Sequence, residues 1–471
     1  MNRYALDHLE NWLISDQRKP LILRGARQVG KTWLVRSLAE KSGKNLCEIN
    51  FEKRPELALH FSSNEPTEIL KSLALALGLK TALDPEKTLL FLDEIQAAPE
   101  LLAKLRWFYE MLPVLAVIAA GSLLEFTLAE HSFSMPVGRV SYFFLEPLGF
   151  EEFLLAKGEE LLVQALQKLD NGPESQFWNE ALHQKTNLLF KEYLWTGGMP
   201  EAVVTWVKTG QLEAISEVHQ NLISTYRDDF SKYAGRLTPQ YLNDVLSAVP
   251  RFLSQKFIYS RVNPEARHGS IKQAVELLTQ ARLCHLVQAV HANGIPLEAE
   301  KDDKNFKLIL IDAGLATASL GLSLKFFSST DFSDTVWVNQ GALAEQVVGQ
   351  LLRLNFPFYM SPHLYYWTRS TPGSSAEIDY LIQHHDQLIP IEVKSGTEGK
   401  MRSLHQFMAE KKGTFALRIY AGPLLISPVK VRTTTGQEVA YQLLSIPFYL
   451  IEQIPRLLEH FSWFLLFKSG E

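Results

Sequence analysis

Apolar residues recur along the first nineteen positions at the spacing that lines one face of an α-helix: Tyr4, Leu6, Leu9, Trp12 and Leu13. The pattern then changes. Leu21-Ile22-Leu23 is a short unbroken apolar run that stops near a glycine, which predicts a buried strand, and helical periodicity resumes through about Lys41. Leu46 to Phe51 reads as a second short strand, Thr67 to Leu79 as a helix, and Thr88 to Leu92 as an apolar strand closed by two acids. Leu115 to Ala120 is another buried strand. Wholly apolar strands alternating with helices predict an α/β domain built on a parallel sheet.

The middle of the chain reads differently. From about 211 to 300 helices follow one another, with breaks at Pro250, Pro264 and Gly269. Ser270 is placed to cap a helix whose apolar stripe is Ile271, Ala274, Val275, Leu278 and Leu283. A hairpin-like piece, Cys284 to Val290, leads to the turn signal Asn293-Gly294, and Phe306 to Asp312 is a strand. In the last third, Gln340 to Gln346 begins a helix, and Ala376 to Ile382 and Leu388 to Lys394 are strands. Glu452, Gln453, Pro455, Arg456, Glu459 and His460 interrupt the apolar stretch from Ile446 to Phe467, which predicts an amphipathic helix packed on its own domain rather than a membrane span.

Composition is that of a large globular protein. With 471 residues, 46% apolar and 21% charged, there is material for about three domains. A net charge of −5 marks no global affinity for nucleic acid, although a local basic face fits within that total. Cys47 and Cys284 lie far apart and offer neither metal spacing nor a disulfide framework. With no signal-peptide core after Met1, a cytoplasmic protein without a membrane partner is expected.

The densest chemistry follows the first strand. Gly25-Ala26-Arg27-Gln28-Val29-Gly30-Lys31-Thr32 fits G-x-x-x-x-G-K-[ST], the loop whose backbone N–H groups wrap nucleotide phosphates. The glycines admit the phosphates, Lys31 brings a charge to the β and γ oxygens, and the Thr32 hydroxyl ligates Mg²⁺. Trp33 closes the set expected to bind ATP. Asp93 and Glu94, at the end of a strand some sixty residues on, supply the complement: Asp93 to hold Mg²⁺ through water, Glu94 as general base. Two surface acids at a strand end are the bland alternative. Ser122, after Gly121, is placed to touch the γ-phosphate or the attacking water. Arg139 is either an arginine finger, in cis or from a neighbouring copy in a homo-oligomer, or a surface arginine beside a turn.

Together with Glu146 to Phe153 and Tyr193-Leu194-Trp195-Thr196-Gly197-Gly198-Met199-Pro200-Glu201, these motifs occur in the order of a large prokaryotic family. The chain resembles the AAA-superfamily ATPases that carry a C-terminal domain of unknown function, DUF4143, and the likeness runs over nearly its whole length. The resemblance implies an AAA-type P-loop NTPase domain over 1–150, a helical lid over 151–210, a winged-helix region over 211–315, and a further α/β domain over 316–471. It also implies that Gly198 and Pro200 lie near the nucleotide base and that Asp312 to Leu315 is a junction. From the residues alone, Gly197-Gly198 is a helix terminator or hinge. Arg251, Lys256, Arg261, Arg267, His268 and Lys272 give the winged region a local basic density that faces either DNA phosphates or solvent.

The last domain carries a second set of residues. Alternation puts Glu392 and Lys394 on one strand face, beside Asp379 if the two strands pair. Two carboxylates and a lysine suit metal-assisted phosphodiester hydrolysis, with Asp379 and Glu392 holding Mg²⁺ and Lys394 orienting or deprotonating the water. The arrangement resembles the PD-(D/E)xK nuclease fold, and Glu345 matches the acid on that fold's first helix. Ile378 stands where the family has proline before its first acid. Three functions compete: an ATPase controlling a DNA-acting nuclease, a nucleotide-dependent switch with a silent nuclease fold that binds DNA or a protein partner, and an AAA motor acting on protein. The nuclease-like triad argues against the third.

Overall fold

The structure is a computed structural model that describes residues 2–121, 124, 136–170, 177–233, 237–321, 340–369, 376–396 and 400–466. Ser122 lies outside them. The chain divides into two compact units: Met1–Glu146 with Gln280–Arg282 and Pro357–Ser361, and the remainder.

The first unit is built on five parallel strands, β1 (Leu21–Arg24), β2 (Asn45–Asn50), β3 (Thr88–Asp93), β4 (Ala116–Ala120) and β5 (Ser141–Phe144). Their order is β2-β3-β4-β1-β5, the arrangement of a P-loop NTPase sheet. β3 and β4 are buried at every position, which is why they are apolar without alternation. Leu90, Leu92, Val117 and Ala119 pack with Leu73 of the helix Pro66–Ala76 and Leu102, Leu105 and Phe108 of the helix Leu101–Met111. The loop after β1 runs into the helix Lys31–Ser42.

The second unit holds an eight-stranded mixed sheet: β6 (Cys284–Val290), β7 (Lys301–Leu310), β8 (Leu364–Thr368), β9 (Glu377–His384), β10 (Gln387–Val393), β11 (Phe415–Tyr420), β12 (Leu425–Arg432) and β13 (Glu438–Pro447). The order is β12-β13-β11-β10-β9-β8-β6-β7. The hairpin expected to finish a winged helix is therefore the end of this sheet, because β6 pairs in parallel with β8 from Val287↔Leu364 to Val290↔Trp367. Asn293-Gly294 is not a two-residue hairpin turn; the connection runs on through a 3₁₀ turn, Leu297–Glu300.

Two other expectations shift. The helix Gln340–Arg353 forms as expected, but Ser270, expected to cap a helix, lies inside the helix His268–Gln280. Ile446–Phe467 is not one helix: β13 runs to Pro447, a 3₁₀ turn covers Phe448–Gln453, and the helix spans Ile454–Leu466. Pro455 fits that first helical turn, where its missing N–H has no partner to lose.

Candidate nucleotide site and carboxylate–lysine cluster

At the carboxyl end of β1 the backbone turns through left-handed conformations at Gln28 (φ 66°) and Gly30 (φ 95°), which arc the loop into the helix beginning at Lys31. Gly25 is needed for a different reason. A side-chain carbon there would sit 2.6 Å from the carbonyl oxygen of Leu145, whose N–H donates to the Arg24 carbonyl at 2.8 Å. The Lys31 ammonium is buried and donates to the loop's own carbonyls, Gly25 O and Ala26 O, both at 2.8 Å. Burial lowers its pKa to about 8, against the pull of Glu94 and Asp93. Within the same loop Val29 is buried, Arg27 is half-buried and Gln28 exposed; Trp33 is exposed on the helix's first turn.

β3 delivers the partners. Asn50 and Asp93 are opposed in the parallel register of β2 and β3, and Asn50 Nδ2 donates to Asp93 Oδ2 at 3.2 Å. Thr32 Oγ1 donates to the same oxygen at 3.4 Å. Burial, with Glu94 adding to it, raises Asp93 to about 6. Glu94 adopts φ 51°, and Gln96 Nε2 donates to its Oε2 at 2.6 Å. Gly121, at the end of β4, makes room for that clamp: a side-chain carbon there would lie 2.1 Å from Gln96 Oε1. A hydroxyl and a carboxylate within 3.4 Å are a donor set for a hard divalent cation. Lys31 and the helix N-terminus face the loop with positive charge. These residues fit Mg²⁺ and the phosphates of a nucleotide.

Arg139 precedes Ser141, which pairs with Leu21 at the start of β1, whereas the phosphate loop leaves that strand's other end, roughly 13 Å away along four residues of strand. Its guanidinium pairs with Glu110 at 3.1 Å. An arginine from a distant, motif-free part of the chain does reach this end: Arg282, at φ 60°, is buried, pairs with Glu146 Oε1 at 2.5 Å and lies 5.0 Å over the Phe144 ring. Its charge is felt at Lys31, and Arg3 bonds the Glu146 carbonyl at 2.7 Å and that of Val29 at 3.3 Å.

In the second unit Gly198 is a packing point. Its N–H donates to Asp312 Oδ2 at 2.6 Å, its carbonyl accepts from Leu148 N at 2.8 Å, and Pro200 opens the helix Pro200–Thr209. Asp312 also caps the helix Ala313–Ser319 through Leu315 N.

The strands β9 and β10 pair antiparallel with Ile391 opposite Tyr380, so Asp379 and Glu392 become neighbours. Asp379 Oδ2 accepts from Val393 N at 2.7 Å, and Lys394 Nζ donates to Glu392 Oε1 at 2.6 Å. Asp379, Glu392 and Lys394 thus converge as alternation implies. The other Glu392 oxygen, Oε2, is buried without a hydrogen-bond partner among the described residues. Glu345 is held elsewhere. Lys307 of β7, 4% exposed, pairs with Glu345 Oε2 at 3.2 Å and with Glu377 Oε1 at 2.6 Å, and lies 5.1 Å from the Tyr366 ring. Burial works against that ammonium's charge, but Glu345, Glu377 and Asp379 raise its pKa above the usual lysine value. Burial and Asp379 push Glu345 up to about 8 and Glu392 up to about 7. Among the described residues, only His384, His385 and Glu459 bring three potential ligand atoms within 4.8 Å of one another. Glu345, Asp379 and Glu392 do not close on one point. The six basic residues from Arg251 to Lys272 are all exposed, and Lys272 pairs with Glu276 at 3.7 Å.

Comparison with known families follows the same division. Residues 17–154 match the model of an AAA domain, and residues 340–438 match that of a domain of unknown function, DUF4143. The chain thus carries an AAA domain and, C-terminal to it, a DUF4143 domain. Between the two, residues 187–325 match a second domain of unknown function, DUF8612, which takes in both Gly198 and Asp312 and ends beyond the β6–β7 hairpin. No curated protein matches the chain. Among solved structures, Orc1 of Aeropyrum pernix in complex with DNA aligns at 13% identity and TM-score 0.25, over 67% of this chain and 91% of that one. A STAND protein of Pyrococcus horikoshii with a tetratricopeptide repeat sensor aligns at 14% and 0.24, over 76% of this chain and 46% of that one. TM-scores of this size assign nothing. No described helix is long and apolar enough to cross a membrane.

Proposed function

We propose that this protein hydrolyses ATP with Mg²⁺ and that its nucleotide state governs a nuclease-like C-terminal domain acting on DNA. The observation that carries the first half is the meeting of Lys31, Thr32, Asp93 and Glu94 at one end of the sheet. Lys31 exchanges its two loop carbonyls for phosphate oxygens, and Thr32 and Asp93 would hold the cation. Mg²⁺, when bound, neutralises charge on the β and γ oxygens. Glu94, fixed by Gln96 at Oε2, accepts a proton at a carboxylate oxygen as the water oxygen bonds to the γ phosphorus and the bond to the β,γ-bridging oxygen breaks, leaving ADP and phosphate. Lys31→Ala abolishes nucleotide binding; Glu94→Gln keeps it while hydrolysis falls by orders of magnitude. Equal turnover in Glu94→Gln and wild type removes Glu94 from the role of base.

For the second half, Asp379, Glu392 and Lys394 supply the residue types of metal-assisted phosphodiester cleavage, and the exposed basic run from Arg251 to Lys272 offers a face for phosphates. The competing reading, a switch whose nuclease-like domain binds DNA or a partner without cutting, is favoured by the pairing of Glu345 with Lys307. Incubating the protein with single- and double-stranded DNA, ATP and Mg²⁺ or Mn²⁺, beside Lys394→Ala and Asp379→Ala, decides between them. Cleavage lost in both variants supports the nuclease. ATP-dependent DNA retention without cleavage supports the switch.

A further inference from the structure

The acidic cluster of the second unit contains four carboxylates, Glu345, Glu377, Asp379 and Glu392, and two lysines, and the lysines divide it. Lys394 takes one oxygen of Glu392. Lys307 takes both Glu345 and Glu377, from a position with 4% of its side chain exposed. Lysines are almost never so deeply buried unless paired, and a lysine with two carboxylates within 3.2 Å is a fixed cation rather than a mobile surface group. The orphaned acceptor lies on the other side of this division. Glu392 is 5% exposed, and its Oε2 is buried with no hydrogen-bond partner among the described residues, while Asp379 stands next to it across the β9–β10 ladder. A buried carboxylate oxygen without a donor costs folding free energy unless a ligand meets it. Together these two acids fit a divalent cation.

From this division we propose that the cluster takes a single divalent ion, on Asp379 and Glu392, and that the Lys307 ammonium permanently holds the place of a second, so that Glu345 is Lys307's partner and not a metal ligand. The proposal rests on the nuclease-like reading of this cluster and narrows it. Two-metal phosphodiesterases clamp the attacking and the leaving oxygens with ions about 3.5–4 Å apart; a centre with one exchangeable ion and a fixed ammonium has one metal for these tasks. Lys307 is a positioning residue here, because it touches carboxylates and not substrate. A chain whose acids were all metal ligands would bring three of their oxygens to a common point, which Glu345, Asp379 and Glu392 do not do.

The test counts bound Mn²⁺ by isothermal titration and by the loss of the free-ion paramagnetic signal, in full-length protein without nucleotide. Wild type is expected to bind one ion that Asp379→Asn does not, and Glu345→Gln, which keeps the size of the side chain and opens no cavity, is expected to retain it with affinity changed less than threefold. Lys307→Met is expected to gain a second ion, lost again when Glu345→Gln is added. Two Asp379-dependent ions in the wild type, or loss of the ion in Glu345→Gln, overturn the proposal while leaving a metal-binding cluster in place. No Asp379-dependent ion in either wild type or Lys307→Met overturns the nuclease-like reading and the proposal with it. Should Lys307→Met fail to fold, Glu345→Gln alone still decides whether Glu345 is a ligand.

Discussion

Gly121→Ala tests the proposed ATPase machinery without touching a charged group. The added methyl would sit 2.1 Å from Gln96 Oε1, whereas ordinary contact needs roughly 3.5 Å, so the amide must retreat by over an ångström. Gln96 Nε2 holds Glu94 Oε2 at 2.6 Å, and a shift of that size takes the bond out of hydrogen-bonding range. A hydrogen bond to a charged group contributes about 1.5–3 kcal/mol, or roughly 10- to 150-fold when it is made only on the way to the transition state. General-base catalysis itself supplies about 10²–10⁴, so misorienting Glu94 is expected to remove part of it and not all. We therefore expect kcat for ATP hydrolysis to fall roughly 10- to 100-fold with little change in nucleotide affinity. Phosphate release measured beside titration with a fluorescent ATP analogue separates the two quantities. Gln96→Ala should reproduce the loss, and the double variant should be no worse than either single one, because both act through the same clamp. Wild-type or faster turnover in Gly121→Ala, with folding intact, would refute the idea that Gln96 holds Glu94 ready for catalysis. Additive losses in the double variant would refute the shared route.

Two other outcomes follow from the same structure. Asp93, raised to about 6, binds a proton more tightly folded than unfolded, so the nucleotide-free protein loses stability from this group as pH rises from about 4 to about 6. Lys31, lowered to about 8, makes the opposite contribution between about 8 and 10.4, where the folded state holds fewer protons than the unfolded one. Because nucleotide binding uses an ionised Asp93 and a protonated Lys31, affinity for Mg-ATP should be greatest between about 6 and 8 and fall on both sides. Calorimetry at pH 8.5 in buffers of different ionisation enthalpy should register proton uptake on binding, and flat affinity from pH 5 to 9 would contradict both shifts. In the second unit, Gly198→Ala places a carbon 2.0 Å from the Leu148 carbonyl oxygen, a backbone atom that no rotamer change clears. A loss of at least about 2 kcal/mol is expected in the urea unfolding of that unit, and an unchanged midpoint would show that the segments separate freely.

What was legible in the chain was local. The phosphate loop and Asp93-Glu94 each lie on one continuous strand-and-loop segment, so their spacing is in the sequence itself. Their supports are set by strand neighbours instead. Asn50 meets Asp93 through the β2–β3 register, and Gln96 needs the glycine at the end of β4. β5, only Ser-Tyr-Phe-Phe, is too short to alternate and is fixed by its pairing with β1. The same limit explains the hairpin: Cys284 to Val290 is visibly a strand, but nothing local says that Val287 will pair with Leu364 and turn a winged-region hairpin into the end of a larger sheet.

Lys307 is the instructive case, because its cue was present. It stands between Phe306 and Leu308-Ile309-Leu310, inside a strand whose last five residues are all buried. A lysine in such a run demands paired acids, since the desolvation of its ammonium is otherwise too costly. The acids just before it, Asp302 and Asp303, are not its partners; Glu345 and Glu377 are, from a helix and a strand 38 and 70 positions on. A motif search asks which acids would hold a metal and so assigns Glu345 to one. The buried lysine poses the prior question of which acids are already neutralised, and on that count Glu345 is taken before any ion arrives.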